Sequence, residues 1–137
     1  MIASVPPSVP PPIDLTSVIE ARDPFEAVLI FTRTGKVIAA WTKKSVPVEV
    51  VTVMAATLIG SIETMSEALG GPGPREIALI VDGRRMLALK VNPQVAVLVI
   101  APTNLSGVAL HSSTQRLLRK LPPLEVDRHG QRPGTRG

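Results

Sequence analysis

The alternation of apolar and polar positions divides this chain into eight elements, and one of them carries too many apolar residues for its length. From about Pro47 to Leu69, Val48, Val51, Ala55, Leu58, Ile62, Met65 and Leu69 follow the three-and-four spacing of one buried helix face. Val50, Val53, Met54 and Ile59 fall outside that stripe. The polar remainder is thin: Glu49, Thr52, Glu63 and Glu67, with small Ala56 and Gly60 between them. A helix laid on a single sheet needs one apolar stripe roughly 100° wide. This helix exceeds that, so either it is internal on every side or its outer face meets another chain. In a chain of 137 residues the second reading is the stronger.

The other blocks have strand or turn character. Asp14 or Thr16 caps a short helix, about Ser17 to Arg22, before Pro24 forces an extended backbone. Phe25 to Thr32 and Lys36 to Thr42 read as two strands joined at Arg33-Thr34-Gly35. Gly70-Gly71-Pro72-Gly73-Pro74 ends the long helix. Glu76 to Asp82 alternates, with Ile77, Leu79 and Val81 on one side and Ala78 and Ile80 on the other. Asp82-Gly83 turns it into the partner strand, Arg84 to Val91. After Asn92-Pro93-Gln94, Val95 to Ala101 (VAVLVIA) has no polar position, as expected of a central strand covered on both faces. Asn104 is the expected cap of a last helix, Leu105 to Leu121, with Leu110, Thr114, Leu117 and Leu121 inward. Five strands with helices on both faces predict a single three-layer α/β sandwich. Residues 1–13 form a proline-rich flexible arm, 14–121 the domain, and 122–137 a basic disordered tail.

Composition narrows the chemistry. Apolar residues make up 45% of the chain and aromatics 2% (Phe25, Phe31 and Trp41), so the core is aliphatic. The absence of Cys excludes disulfides, thiolate metal sites and cysteine nucleophiles, and suits a reducing, cytoplasmic setting. The net charge of +4 is not spread over the body: residues 1–115 carry nine basic and nine acidic residues. Residues 116–137 carry six basic against two acidic, 6 − 2 = +4. The N-terminus lacks the pattern of a signal peptide, and the greasy run Val46 to Ile62 falls short of a bilayer span of about 20 residues.

The order of elements, with four local matches, resembles the roadblock family of dynein-light-chain-like domains over about Ile13 to Leu121. The matches are AVLIFTRTGKVIAAW at Ala27–Trp41, the Ala-rich helix around Val53-Met54-Ala55-Ala56-Thr57-Leu58, the strand Glu76-Ile77-Ala78-Leu79-Ile80, and Asn104-Leu105-Ser106-Gly107 at the last helix. The resemblance implies a mostly antiparallel sheet of order 2-1-5-4-3, with the long helix on one face and the terminal helices on the other. It also implies a homodimer in which third strands pair edge to edge and long helices lie side by side. The dimer contact is then expected at Met54, Ala55, Leu58 and Ile62 of the helix and at Glu76, Ala78 and Ile80 of the strand, Ile80 lying beneath the helices. A Ras-like small GTPase is the partner that the resemblance implies, bound by a non-catalytic scaffold. The alternative is a structural subunit of a larger complex with no GTPase.

One further surface and three chemistries bear on this reading. Glu49, Thr52, Ala56, Gly60, Glu63 and Glu67 recur at helical spacing and make one narrow line, which either faces water or receives a partner. The expected partner-binding set is Glu49, Thr52, Ala56, Gly60 and Glu63. His111 beside Ser112 and Ser113 does not make a nucleophile–base pair, since adjacent helix positions point apart. His111 and His129 are too separated for a metal site, and Gly70–Gly73 lacks the strand, helix and Lys-Ser/Thr of a phosphate loop. No cofactor is expected. The basic tail has no aromatic stacking groups, which disfavours nucleic acid as a partner.

Overall fold

A computed structural model of the chain describes residues 13–124. The proline-rich arm up to residue 12 and the tail from residue 125 lie outside the described residues. The strands are β1 (Ala27–Thr32), β2 (Val37–Thr42), β3 (Glu76–Val81), β4 (Arg84–Asn92) and β5 (Val95–Pro102), and the helices α1 (Val48–Ala68) and α2 (Gly107–Lys120). They form one sheet of order β2-β1-β5-β4-β3, every neighbouring pair antiparallel. The sandwich and its strand order are those expected.

The all-apolar β5 does what its composition demands. Ala96, Leu98 and Ile100 enter the layer under α1, while Val95, Val97, Val99 and Ala101 enter the opposite layer with Leu110 and Leu117 of α2. β1 divides in the same way, Leu29 and Phe31 towards α1, Val28 and Ile30 towards α2. Each fully buried aliphatic side chain stabilises the fold by about 1.5–3 kcal/mol. These two strands are therefore the centre of both cores.

The turns follow the residues that make them. Gly35 has φ +96° in the β1–β2 turn, where its N–H donates to the Thr32 carbonyl (2.9 Å). A Cβ there would lie 3.3 Å from Val53 Cγ2, so the turn passes close beneath α1. Asp82 and Gly83, with φ of 50° and 73°, make the tight β3–β4 turn that their dipeptide predicts.

Two helix boundaries differ from expectation. The first helix is only a 3-10 turn, Leu15–Ser17, in which Asp14 accepts from the Thr16 N–H (3.1 Å). Leu15, Ile19 and Phe25 are all drawn into the core within this short stretch, and Asp23 ties back to the Glu20 N–H (2.8 Å), which leaves no length for a second turn. The cap of α2 is Ser106, not Asn104: its hydroxyl accepts from the Ala109 N–H (3.0 Å). The preceding residues are held in a turn by Leu105 N–H to the Pro102 carbonyl (3.2 Å). On α2 Ser113 joins Leu110, Thr114 and Leu117 inside, and Leu121 is only partly covered. Ile13 and Leu124 both pack on the α2-side core.

Candidate functional site

The long helix sits on the sheet by an unexpected face. Its buried residues are Thr52, Ala55, Ala56 and Ile59, with Ile59 only 2% exposed. The apolar stripe read from the sequence meets the sheet only in its first half: Ala55 is buried and Val48 and Val51 pack against the α1-side core, whereas Met65 is 55% exposed and Leu69 88%. The physical reason is closeness. Small Ala55 and Ala56 and the compact Thr52 let the helix approach the sheet, whereas the bulkier Leu58 and Met65 at that contact would hold it away.

This corrects the expected partner-binding line. Thr52 is fully buried, Ala56 is buried, and Gly60 is half-buried, so Thr52, Ala56 and Gly60 lie on or beside the sheet-facing side, not on an outer ridge. Glu63 is also occupied. It receives Arg33 Nη2 from the β1–β2 turn on one oxygen and Lys90 Nζ from β4 (2.7 Å) on the other. The hydrogen bond from Lys90, aided by the Arg33 charge and opposed by burial, holds its carboxyl below the usual range. Arg33 reaches on to the Pro93 carbonyl (3.3 Å), so this carboxylate joins α1 to two turns of the sheet. Of the line, Glu49 near the start of the helix and Glu67 near its end remain exposed.

What the helix leaves open is the flank next to β3. Met54, 58% exposed, and Leu58 border an apolar groove of ≈ 370 Å³ whose floor is Ile77, Leu79, Met86 and Leu98. Ala55 is the buried shoulder of this groove, and Ile62, half-buried, continues its line along the helix. β3 pairs only with β4, so its other edge has no strand partner among the described residues. The structure therefore brings Met54, Ala55 and Leu58 to the edge strand, but it reverses the strand's faces. Ile77 and Leu79 lie under α1. Glu76, Ala78 and Ile80 point to the α2 side, where Ile80 is 62% exposed and Glu76 meets His111 Nδ1 at 3.2 Å. The alternation of β3 showed two apolar faces, and both are apolar enough that periodicity alone could not assign them.

The candidate chemistries are engaged elsewhere. Ser113 accepts from Arg116 Nη2 (3.0 Å) and His111 faces Glu76. The Gly73 N–H is taken by Ser66 Oγ (3.0 Å), which folds the glycine-rich loop back on α1. No group of three His, Asp or Glu side chains able to hold a metal occurs among the described residues. At 21 residues α1 is, contrary to the shorter run read from the sequence, long and apolar enough to cross a membrane. It is docked on the sheet by one side, with Ile59 in the core and Glu63 in ion pairs.

No protein-family model matches the sequence, and no curated protein matches it. Solved structures do match the fold. Myxococcus xanthus MglB superposes with a TM-score of 0.67 at 11% identity, over 75% of this chain and 87% of that one. The gliding protein MglB from Thermus thermophilus gives 0.65 at 14% identity, over 75% and 82%. The Roadblock/LC7 domain from Streptomyces avermitilis gives 0.66 at 11% identity, over 76% and 88%. The chain has the roadblock fold.

Proposed function

We propose that this chain is a non-catalytic homodimeric platform that binds a Ras-like small GTPase and modulates its nucleotide cycle or location. The observation that carries the dimer is the apolar groove between α1 and the unpaired edge of β3. An alternating, sparsely charged edge strand left open is an aggregation hazard. Pairing β3 with its copy continues the sheet and brings the two grooves, with Met54 and Leu58, against each other. Leu79 and Ile77, not Ile80, then lie beneath the paired helices.

The two-fold axis of such a dimer runs perpendicular to the sheet, so both α1 helices share one face of the assembly. Val53 is exposed on that face and, with Glu49 and Val50 near the start of the helix, offers a partly apolar seat for a partner. This outward set takes the place of the line centred on Thr52 and Ala56. The GTPase itself rests on the resemblance to roadblock domains and on the likeness to MglB structures. The platform would act by binding the GTP- and GDP-states of its partner unequally, since a ligand shifts an equilibrium only by its differential affinity.

The test is capture of partners by the immobilised protein from lysate of its own source cells, with GDP or a non-hydrolysable GTP analogue. The reading expects a Ras-like GTPase retained more strongly in one nucleotide state. Stable co-purification of proteins without a GTPase domain, indifferent to nucleotide, would favour the structural-subunit alternative.

A further inference from the structure

Part of the chain's basic excess has a place in the fold. Arg116, Arg119 and Lys120 form the last turns of α2, and all three are exposed. Arg22 stands beside them, so that Arg22, Arg116 and Lys120 line one open hollow with Glu20 and Asp23. Glu20 is shared between two cations, Arg22 Nε at 2.7 Å and Lys120 Nζ at 3.2 Å. Arg116 and Arg119 enter no ion pair among the described residues, and the sequence beyond the helix adds Arg128, Arg132 and Arg136 against Glu125 and Asp127. The outward line of α2 runs Val108, Ser112, Arg116 and Arg119, so an apolar residue, 78% exposed, opens the same face that the arginines close.

We propose that this basic end of α2 docks the protein on an anionic lipid surface. The argument is one of charge and of shape. α1 and α2 lie on opposite faces of the sheet, and in the dimer, a reading on which this inference rests, both α2 ends point to the same side. Two copies then present Arg116, Arg119 and Lys120 twice on one face, away from the α1 pair. A doubled basic face with an exposed apolar side chain suits a planar anionic layer. A nucleic-acid strand would instead call for a groove with aromatic stacking groups, and residues 105–137 contain no Phe, Trp or Tyr. The platform would thereby hold whatever sits on α1 at a membrane.

The test is co-sedimentation of the full chain with vesicles of phosphatidylcholine alone or with about 30% phosphatidylserine, since anionic lipid attracts each basic side chain. It is run at about 0.1 M and about 0.5 M salt, because the attraction is screened. Two variants accompany it: Arg119→Ala, whose side chain has no ion pair to lose, and the triple Arg116→Ala/Arg119→Ala/Lys120→Ala. Binding should be confined to serine-lipid vesicles and fall steeply at the higher salt. It should weaken about fivefold in the single variant and about a hundredfold in the triple one. Equal binding to neutral vesicles, no loss in either variant, or tighter binding to a single- or double-stranded nucleic acid would overturn the proposal. Light scattering on the same samples separates the two readings. A dimer that ignores anionic vesicles overturns the docking and leaves the platform, whereas a monomer that binds them removes the dimer and its doubled face and leaves the docking to a single α2 end.

Discussion

Replacing Thr52 with valine should stabilise the protein without touching its associations. Thr52 is 0% exposed and its hydroxyl has no hydrogen-bond partner. Leaving a buried hydroxyl unsatisfied costs about 1–3 kcal/mol, and valine removes it at nearly constant volume. Helix propensity hardly changes, since threonine and valine stand close in that ranking. The expected gain is about 1–2 kcal/mol, or about 4–8 °C in melting temperature for a domain of this size. Thr52→Ser is the control: it keeps the hydroxyl, opens a methyl-sized void and should cost about 1 kcal/mol. Thermal and urea unfolding followed by circular dichroism give both values, and light scattering gives the oligomeric state. A less stable Thr52→Val protein would show that the hydroxyl has a partner and that α1 sits differently on the sheet. A more stable protein with lost self-association would return Thr52 to the interface.

Glu63→Gln should cost about 1–2 kcal/mol at pH 7, since it weakens hydrogen bonds to charged donors. The native carboxyl is held below its ordinary value of 4.5, so the unfolded chain binds the proton more readily and stability rises with pH. The wild type should therefore lose this contribution as pH falls below about 4.5, and the variant's pH–stability curve should be flatter there. Gly60→Ala should raise stability by up to about 1 kcal/mol, because a Cβ at Gly60 meets nothing within 4 Å and alanine is the better helix former. A destabilised variant in urea titration would place a neighbour there. Truncation after Leu124 should leave the melting temperature of the domain nearly unchanged, whereas Leu124→Ala should cost about 2 kcal/mol, because Leu124 is buried on the α2-side core.

The strand framework was legible because its residues have few alternatives. VAVLVIA admits only a doubly covered strand, Asp82-Gly83 only a tight hairpin, and Gly70–Pro74 only a helix stop. The first and last helices were legible in position but not in bounds, since Leu15, Ile19 and Phe25 compete to enter the core within a few residues. The orientation of α1 was not legible. Periodicity ranks faces by hydrophobicity, but this helix docks by its smallest side chains, Ala55 and Ala56, around an unsatisfied Thr52. The excess of apolar residues is indeed more than one layer requires, and the structure leaves Met54, Met65 and Leu69 exposed. Thr52, Ala56 and Glu63 of the expected partner-binding set were misplaced for the same reason, because small residues and a glutamate can mark a sheet contact as readily as an outer groove. The pairing of Glu63 with Arg33 and Lys90 joins residues 30 and 27 positions apart, beyond the reach of any local pattern.

The most direct test of the platform is the mass of the protein in solution, measured by light scattering for the wild type, Leu79→Lys and Ile80→Lys. A stable interface of standard size buries about 1,600 Å² in total, and the groove at Leu79 lies at its centre. The wild type should be a dimer at micromolar concentration. Leu79→Lys should be a folded monomer by circular dichroism, since lysine would place a charge in the groove beside α1, and Ile80→Lys on the opposite face should weaken the dimer less. A monomeric wild type, or a dimer that tolerates Leu79→Lys and is broken by Ile80→Lys, would contradict the account.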